Sequence, residues 1–329
     1  MNPFNGRDLL SLQEWSVEDI ERVLELAADL KQKFRIGVTT DYLKNKTFFM
    51  LFYASSTRTR NSFEAALTQL GGHAHYLNPK TMRAGDPGAP EAIADTAKVL
   101  SRYGHGIGIR IYFPQYGEGE KVIREYAKHA SIPVVSMESD VYHPCQALAD
   151  LMTIREKFKE TKHLKYVQAW GYSPDALRVC AVPSSNILLM PRFGMDVTYV
   201  RPPEFTLHPD IIQQAKVNAE THGGSFTETD NLEEAIEDAD IIYMRQHCTL
   251  DYGKHGPEKE QQIIDKYSDW TLTSDLLRLA KKSAVVMHCL PVDRDHEIAS
   301  DVLDGPQSIV YDEAENRLHV QKAVLSLVM

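Results

Sequence analysis

The stretch Ser55-Ser56-Thr57-Arg58-Thr59-Arg60 interleaves hydroxyls with guanidinium groups. The strand-like apolar run Thr47 to Tyr53 precedes it, and a helical pattern with Phe63, Ala66, Leu67 and Leu70 on one face follows it. Such a cluster falls at a strand-to-helix turn, where the first N–H groups of the helix and the positive end of its dipole converge and suit a phosphate. An ordinary cap is the plainer reading, since Ser or Thr before a helix often only satisfies backbone donors. Arg58 and Arg60 speak against it: a cation in the first turn opposes the dipole by about a few tenths of a kcal/mol, which an anionic ligand would offset.

Three further sites carry groups able to do chemistry. Arg110 ends the buried-looking run Ile107-Gly108-Ile109-Arg110-Ile111, where a charge needs an anionic partner, either a ligand or a core carboxylate. His143 opens His143-Pro144-Cys145-Gln146-Ala147-Leu148-Ala149-Asp150 just before a helix, where a histidine is as often a cap as a catalyst. His288-Cys289-Leu290-Pro291 follows the run Ala284 to Met287. Neighbouring residues at a strand end point to opposite sides, so His288 and Cys289 do not make a nucleophilic dyad. The thirteen histidines form no convincing metal-ligand cluster.

The elements that must position these groups alternate. Strands are expected at Thr47–Tyr53, Ala74–Leu77, Gly106–Tyr112 and Pro133–Ser136. Helices are expected at Val17–Phe34, after Ser56, and at Ala89–Tyr103, Glu120–His129 and Cys145–Phe158. A second series has strands at Tyr166–Trp170, Asp196–Val200, Asp240–Met244 and Ala284–Met287. Its helices are expected near Pro209–Thr221, Leu232–Glu237 and Ser274–Lys281, with a last one over Asp312–Leu327. Alternation of this kind predicts an α/β fold of two doubly wound parallel-sheet domains. Their spans would be residues 1–152 and 153–329, with ligands at the carboxyl ends of the strands. A chain of 329 residues exceeds one typical core, which agrees.

Composition narrows the partners. A formal charge of -10 argues against nucleic acid and anionic membranes, and no apolar run approaches the ~18 residues of a span. The four cysteines have no paired spacing, so a cytoplasmic location is expected. No strand is followed by Gly-x-Gly-x-x-Gly: Gly171 leads into Tyr172-Ser173-Pro174-Asp175, too bulky for a pyrophosphate. A nucleotide-dependent oxidoreductase is thus the weaker alternative, beside a non-catalytic anion-binding module.

Together, Ser56-Thr57-Arg58-Thr59-Arg60 with Asn61-Ser62-Phe63-Glu64, then His-Pro-x-Gln-x-Leu-x-Asp at 143–150, His288-Cys289-Leu290-Pro291, and Glu313-Ala314-Glu315-Asn316-Arg317 resemble the aspartate/ornithine carbamoyltransferase family. The resemblance runs from the first helix to the last. It implies carbamoyl transfer from carbamoyl phosphate to a nitrogen of a small acceptor, with release of phosphate and without cofactor or metal. Ser56, Thr57, Arg58 and Thr59 would hold the phosphate. Arg110, His143 and Thr59 would polarise the carbonyl, Gln146 would hold the carbamoyl amide, and Arg317 would return to the same site on the last helix, about 312–329. Cys289 and Leu290 would present backbone groups, with a Leu-Pro bond usually cis in the family, and Cys289 would lie near the acceptor amine. The reaction needs positive charge and donors aimed at a developing oxyanion. The family is a homotrimer whose site is completed by a neighbour's loop, here within residues 78–88, with Met82 and Arg83 as the reaching residues.

The acceptor side departs from the pattern. Ornithine members carry Asp and then Ser-Met-Gly after the strand placed at Asp240–Met244, and aspartate members carry Arg-x-Gln; this chain has Met244-Arg245-Gln246-His247-Cys248-Thr249-Leu250-Asp251. Trp170 to Pro183, with Phe193 to Thr198, instead resembles the knotted branch of acetylornithine, succinylornithine and unassigned-acceptor enzymes, which implies a trefoil knot in the second domain. The tryptophan those acetylornithine enzymes lend a neighbour has no counterpart, the three here being Trp15, Trp170 and Trp270. Arg245, Gln246 and His247 are the acceptor candidates. With Lys254 and His255 they favour a carboxylate-bearing acceptor, against the alternatives of ornithine, an N-acylated ornithine, or a solvated loop.

Overall fold

A computed structural model describes residues 2–79, 82, 91–174 and 178–329. The chain divides into two compact units. The first comprises residues 1–113, 117–149 and 315–329, and the second comprises residues 114–116 and 150–314.

The first unit is built on a parallel sheet of β1 (Thr47–Phe52), β2 (His73–Leu77), β3 (Gly106–Arg110) and β4 (Val134–Glu138), ordered β2-β1-β3-β4. Its helices are α1 (Val17–Arg35), α2 (Thr57–Gln69), α3 (Ile93–Tyr103) and α4 (Glu118–His129). It also takes the start of α5 (Pro144–Lys157) and most of the last helix. Ser16 caps α1 in a reciprocal capping box with Asp19, as its Ser and acidic first turn imply. The side chain of Phe48 in β1 is fully buried and stacks on Phe63 of α2 at 5.7 Å. A Cβ on Gly108 of β3 would come within 2.7 Å of the Phe48 ring, so the glycine makes room for it. That contact ties β1, α2 and β3 into one packed layer.

The order of the strands decides where a ligand can sit. From β1 the chain moves to β2 on one side and then crosses to β3 on the other, so the winding of the parallel sheet reverses between β1 and β3. Their carboxyl ends open a crevice at that switch point.

The second unit repeats the plan with β5 (Lys165–Ala169), β6 (Asp196–Val200), β7 (Ser225–Thr229), β8 (Ile241–Met244) and β9 (Val285–Met287), all parallel, ordered β7-β6-β5-β8-β9. Helices α6 (Ala181–Leu189), α7 (Pro209–His222), α8 (Leu232–Ile236), α9 (Tyr252–Ile264), α10 (Ser274–Leu277) and α11 (Ser300–Leu303) surround it. The last helix, α12 (Val310–Val328), begins in the second unit and ends in the first. Here the switch point falls between β5 and β8.

Three elements depart from expectation. β7 is a polar edge strand whose Ser-Phe-Thr-Glu-Thr lacks a buried face, so its pairing with β6 alone makes it a strand. α6 is buried at every position and therefore has no polar stripe to betray a helix. The segment expected as a loop after residue 251 is α9, interrupted at Gly256 (φ 77°) before Pro257. Of the expected loop at 78–88, only Asn78, Pro79 and Met82 fall among the described residues; Arg83 lies outside them.

Candidate active site

The first unit gathers its polar groups at the carboxyl ends of β1, β3 and β4. Ser56 is the N-cap of α2, in extended conformation, and its hydroxyl accepts from the Thr59 N–H at 3.1 Å. The cap reading is therefore correct for Ser56, and the helix still aims its positive end at this spot. The two arginines that follow behave differently. Arg60 is exposed, pairs with Glu64 one turn on at 2.9 Å and lies over the Tyr76 ring at 4.0 Å, so it needs no ligand. Arg58 is half-buried and faces the cations of the site.

Arg110 ends β3 directly beside Phe52 of β1 in the ladder. It makes an ion pair with Glu138, the last residue of β4, so a core carboxylate does answer part of its charge. Burial pulls the Arg110 guanidinium down to about 10; Arg317 and Arg58 push the same way, while Tyr112, whose ring it approaches at 5.4 Å, opposes them. It remains a cation at neutral pH, within the field of two others. His143 is buried, with Nε2 at 3.8 Å from Glu138, and its carbonyl accepts from the N–H groups of Gln146 and Ala147 as α5 begins at Pro144.

α12 closes the group. Arg317 donates to Gln146 Oε1 at 2.6 Å and to Thr59 Oγ1 at 3.2 Å, all three buried. One guanidinium thus joins the phosphate turn, the His143 helix and the C-terminal helix, and an exposed helical arginine is ruled out for it. The Cys145 thiol beside them is pushed up to about 12 by burial, against Arg317, and is inert as a nucleophile. Glu138 was not foreseen; its signal was an acidic residue closing a buried apolar run.

The second unit has its own cluster at the ends of β8 and β9. Cys289 is buried, and burial raises its thiol despite Arg245. The Leu290–Pro291 bond is cis, as the motif implied. Leu290 N–H donates to His288 Nδ1 at 2.8 Å, and His288 Nε2 lies 3.1 Å from Glu297. Glu297, wholly buried, also accepts from the N–H groups of Gln246 (2.9 Å) and Asp293 (3.0 Å). Against burial, His288, Arg245 and Arg178 bring it down to about 2. Arg178 pairs with Asp293 at 2.6 Å.

These contacts correct the reading of the basic segment. Arg245 is held among Cys289, Glu297 and Asp293, and it donates to the Pro291 carbonyl. Lys254 pairs with Asp251, and His255 with Glu260. His247 lies in the core, its ring nitrogens engaged with the Tyr199 hydroxyl (2.8 Å) and the Cys248 carbonyl (2.9 Å), and burial lowers it to about 4. It is a neutral packing residue and not an acceptor ligand. Gln246 is fully buried as well. The charges that pointed to an anionic acceptor are therefore matched internally. Among the described residues, no group of three or more His, Cys, Asp or Glu could hold a metal ion, and no helix is long and apolar enough to cross a membrane.

Comparison with known proteins agrees with this arrangement. Residues 7–156 match the aspartate/ornithine carbamoyltransferase carbamoyl-P binding domain, and residues 175–328 match the Asp/Orn binding domain. The ornithine carbamoyltransferase of Halalkalibacterium halodurans is 41% identical over 324 residues, covering 98% of this chain and 95% of that one. The solved ornithine carbamoyltransferase from Pyrococcus furiosus superposes with a TM-score of 0.87 at 40% identity, covering 99% and 98% of the two chains. A solved N-acetyl-L-ornithine transcarbamylase complexed with acetylcitrulline gives a TM-score of 0.91 at 33% identity over 98% and 99%.

Proposed function

The chain belongs to the aspartate/ornithine carbamoyltransferase family, and from that premise we propose that it transfers the carbamoyl group of carbamoyl phosphate to the side-chain amine of an ornithine-type acceptor. The observation that carries the donor half is Arg317, which binds Thr59 and Gln146 at once beside Arg58 and Arg110. Three guanidinium groups gathered at a helix N-terminus suit a dianionic phosphate.

In the proposed reaction Ser56, Thr57, Arg58 and Thr59 hold the phosphate, and Gln146 orients the carbamoyl amide. The neutral amine attacks the carbonyl carbon, and the carbonyl oxygen gathers negative charge toward Arg110, His143 and Thr59. The bond between the carbonyl carbon and the phosphate oxygen then breaks with its electron pair leaving on phosphate, and the proton shed by the nitrogen passes to the departing phosphate. Arg110, Thr59 and Gln146 are held by Glu138 and Arg317, which supports a charge shift with little reorganisation. Cys289 and Leu290 act through their backbone, consistent with a thiol kept neutral by burial.

For the acceptor, the names of the relatives at 41% identity support ornithine. A second reading, an N-acylated ornithine, rests on the lack of the Asp and Ser-Met-Gly pattern of ornithine members after Met244 and on the likeness to N-acetyl-L-ornithine transcarbamylase. A homotrimer in which Met82 and Arg83 complete a neighbour's site, a knotted second domain and a cytoplasmic location complete the proposal.

The test is steady-state carbamoyl transfer to L-ornithine, N-acetyl-L-ornithine, N-succinyl-L-ornithine and L-aspartate, read as phosphate release and ureido product. Turnover with an ornithine-type acceptor is expected, and turnover of L-aspartate alone would overturn the assignment.

A further inference from the structure

Behind the His288–Pro291 turn lie two carboxyl groups that the reaction does not use. Asp150 of α5 and Glu313 of α12 are both fully buried in the second unit, and their side chains are hydrogen-bonded to each other. Glu313 accepts on both oxygens: from the Tyr243 hydroxyl on Oε1 at 3.0 Å, and from the His288 N–H on Oε2 at 3.0 Å. Two carboxylates have only acceptors, so a hydrogen bond between them requires a proton. The two donors on Glu313 favour its ionised form, which places the proton on Asp150.

We infer that Asp150 and Glu313 are a positioning pair sharing one proton, carried by Asp150, and that this pair holds the His288–Pro291 turn in place for the reaction. The groups around it fit. Tyr243 and Tyr166, whose phenols burial keeps far from ionisation, face it from β8 and β5. Cys289 faces it from the end of β9, and Arg245 is the cation beyond that thiol. Burial, and next to it the neighbouring Asp150, both disfavour a second negative charge at the pair. Two ionised carboxylates in contact without water would repel strongly, whereas one proton makes the contact attractive. On the far side the turn is held by Glu297, through His288, and by Arg178 and Arg245 on the Pro291 carbonyl. From α12, Glu313 holds the turn at the His288 N–H. The single remaining charge also helps keep Cys289 a thiol.

The inference rests on the carbamoyl-transfer reading for its kinetic arm alone. The variants are Asp150→Asn, which keeps a donor toward Glu313, Asp150→Ala, which does not, and Glu313→Gln, which places an amide where the His288 N–H or the Tyr243 hydroxyl needs an acceptor. The wild-type protein is expected to show a protonated carboxylic-acid carbonyl band in its infrared spectrum at neutral pH, and this band should be lost in Asp150→Asn. With the acceptor found above, Asp150→Asn should stay within about threefold of wild-type kcat/KM, while Asp150→Ala and Glu313→Gln fall by about tenfold or more. A spectrum without that band, a band that survives Asp150→Asn, or an Asp150→Asn enzyme as impaired as Asp150→Ala would overturn the pair. Absence of turnover with every acceptor would sink the functional reading while leaving the infrared result to decide this one.

Discussion

Arg58 and Arg60, two residues apart, show how little a residue type decides without its neighbours. Arg60 finds Glu64 and Tyr76 on its own helix and the adjoining strand, whereas Arg58 sits in the field of Arg110 and Arg317. The cations gathered at the phosphate turn are therefore Arg58, Arg110 and Arg317. Carbamoyl phosphate at ~100 times its dissociation constant should stabilise the protein by about 2.7 kcal/mol. Arg58→Ala should lose most of that shift in melting temperature together with nearly all turnover. An Arg58→Ala protein that melts and turns over like the parent with ligand present would refute the phosphate assignment. Arg60→Ala, by contrast, removes only a surface pair worth about 0.3–0.5 kcal/mol.

The segment from β8 to α9 is an element defined by what it buries. His247 is held neutral between Tyr199 and Cys248, at about 4, well below its unfolded value of 6.5. Glu297 is held ionised at about 2, below 4.5. The sign is the same for both: between the folded and unfolded pKa the unfolded chain binds the proton more readily, so stability falls as pH falls. For His247 the loss begins below about pH 6.5 and ends near 4; for Glu297 it runs from about 4.5 to 2. Urea unfolding at pH 8 and pH 5 should therefore differ by about 2 kcal/mol from His247, on the scale of 1.36 kcal/mol per pKa unit. The slope should be shallower in His247→Gln. An unfolding free energy unchanged over that range would show that His247 is not held neutral. Because the ring is spent on packing, the same variant should alter stability far more than acceptor choice.

At the scale of the whole molecule the proposal makes a site from more than one copy of the chain. A variant dead in the phosphate turn, Arg58→Ala, and one altered at Met82 and Arg83 should each be inactive alone. Mixed and reassembled, they should regain part of the activity, since some sites then combine an intact turn with an intact loop. Full activity from a species that light scattering shows to be a monomer would rule this arrangement out.

The order of elements, the two parallel sheets and the donor-side residues were legible in the amino-acid sequence because each rests on local pattern. β1, β6 and α1 follow from apolar period and capping, and the positions of Arg58, Arg110, His143 and Gln146 from motifs at strand ends. What local pattern could not reveal was pairing. β7 carries no buried face and α6 no exposed one, so neither periodicity could be read. The basic run after Tyr243 looked like an anion site because its counter-charges, Glu297 and Asp293, lie some fifty residues away in sequence and are brought to it only when β8 and β9 pair. Arg317 is the converse case: helical pattern alone reads it as surface, the family resemblance returned it to the phosphate site, and the course of α12 into the first unit sets it against Thr59 and Gln146. A charge is assigned by its neighbours, and in a doubly wound sheet those neighbours come from other strands.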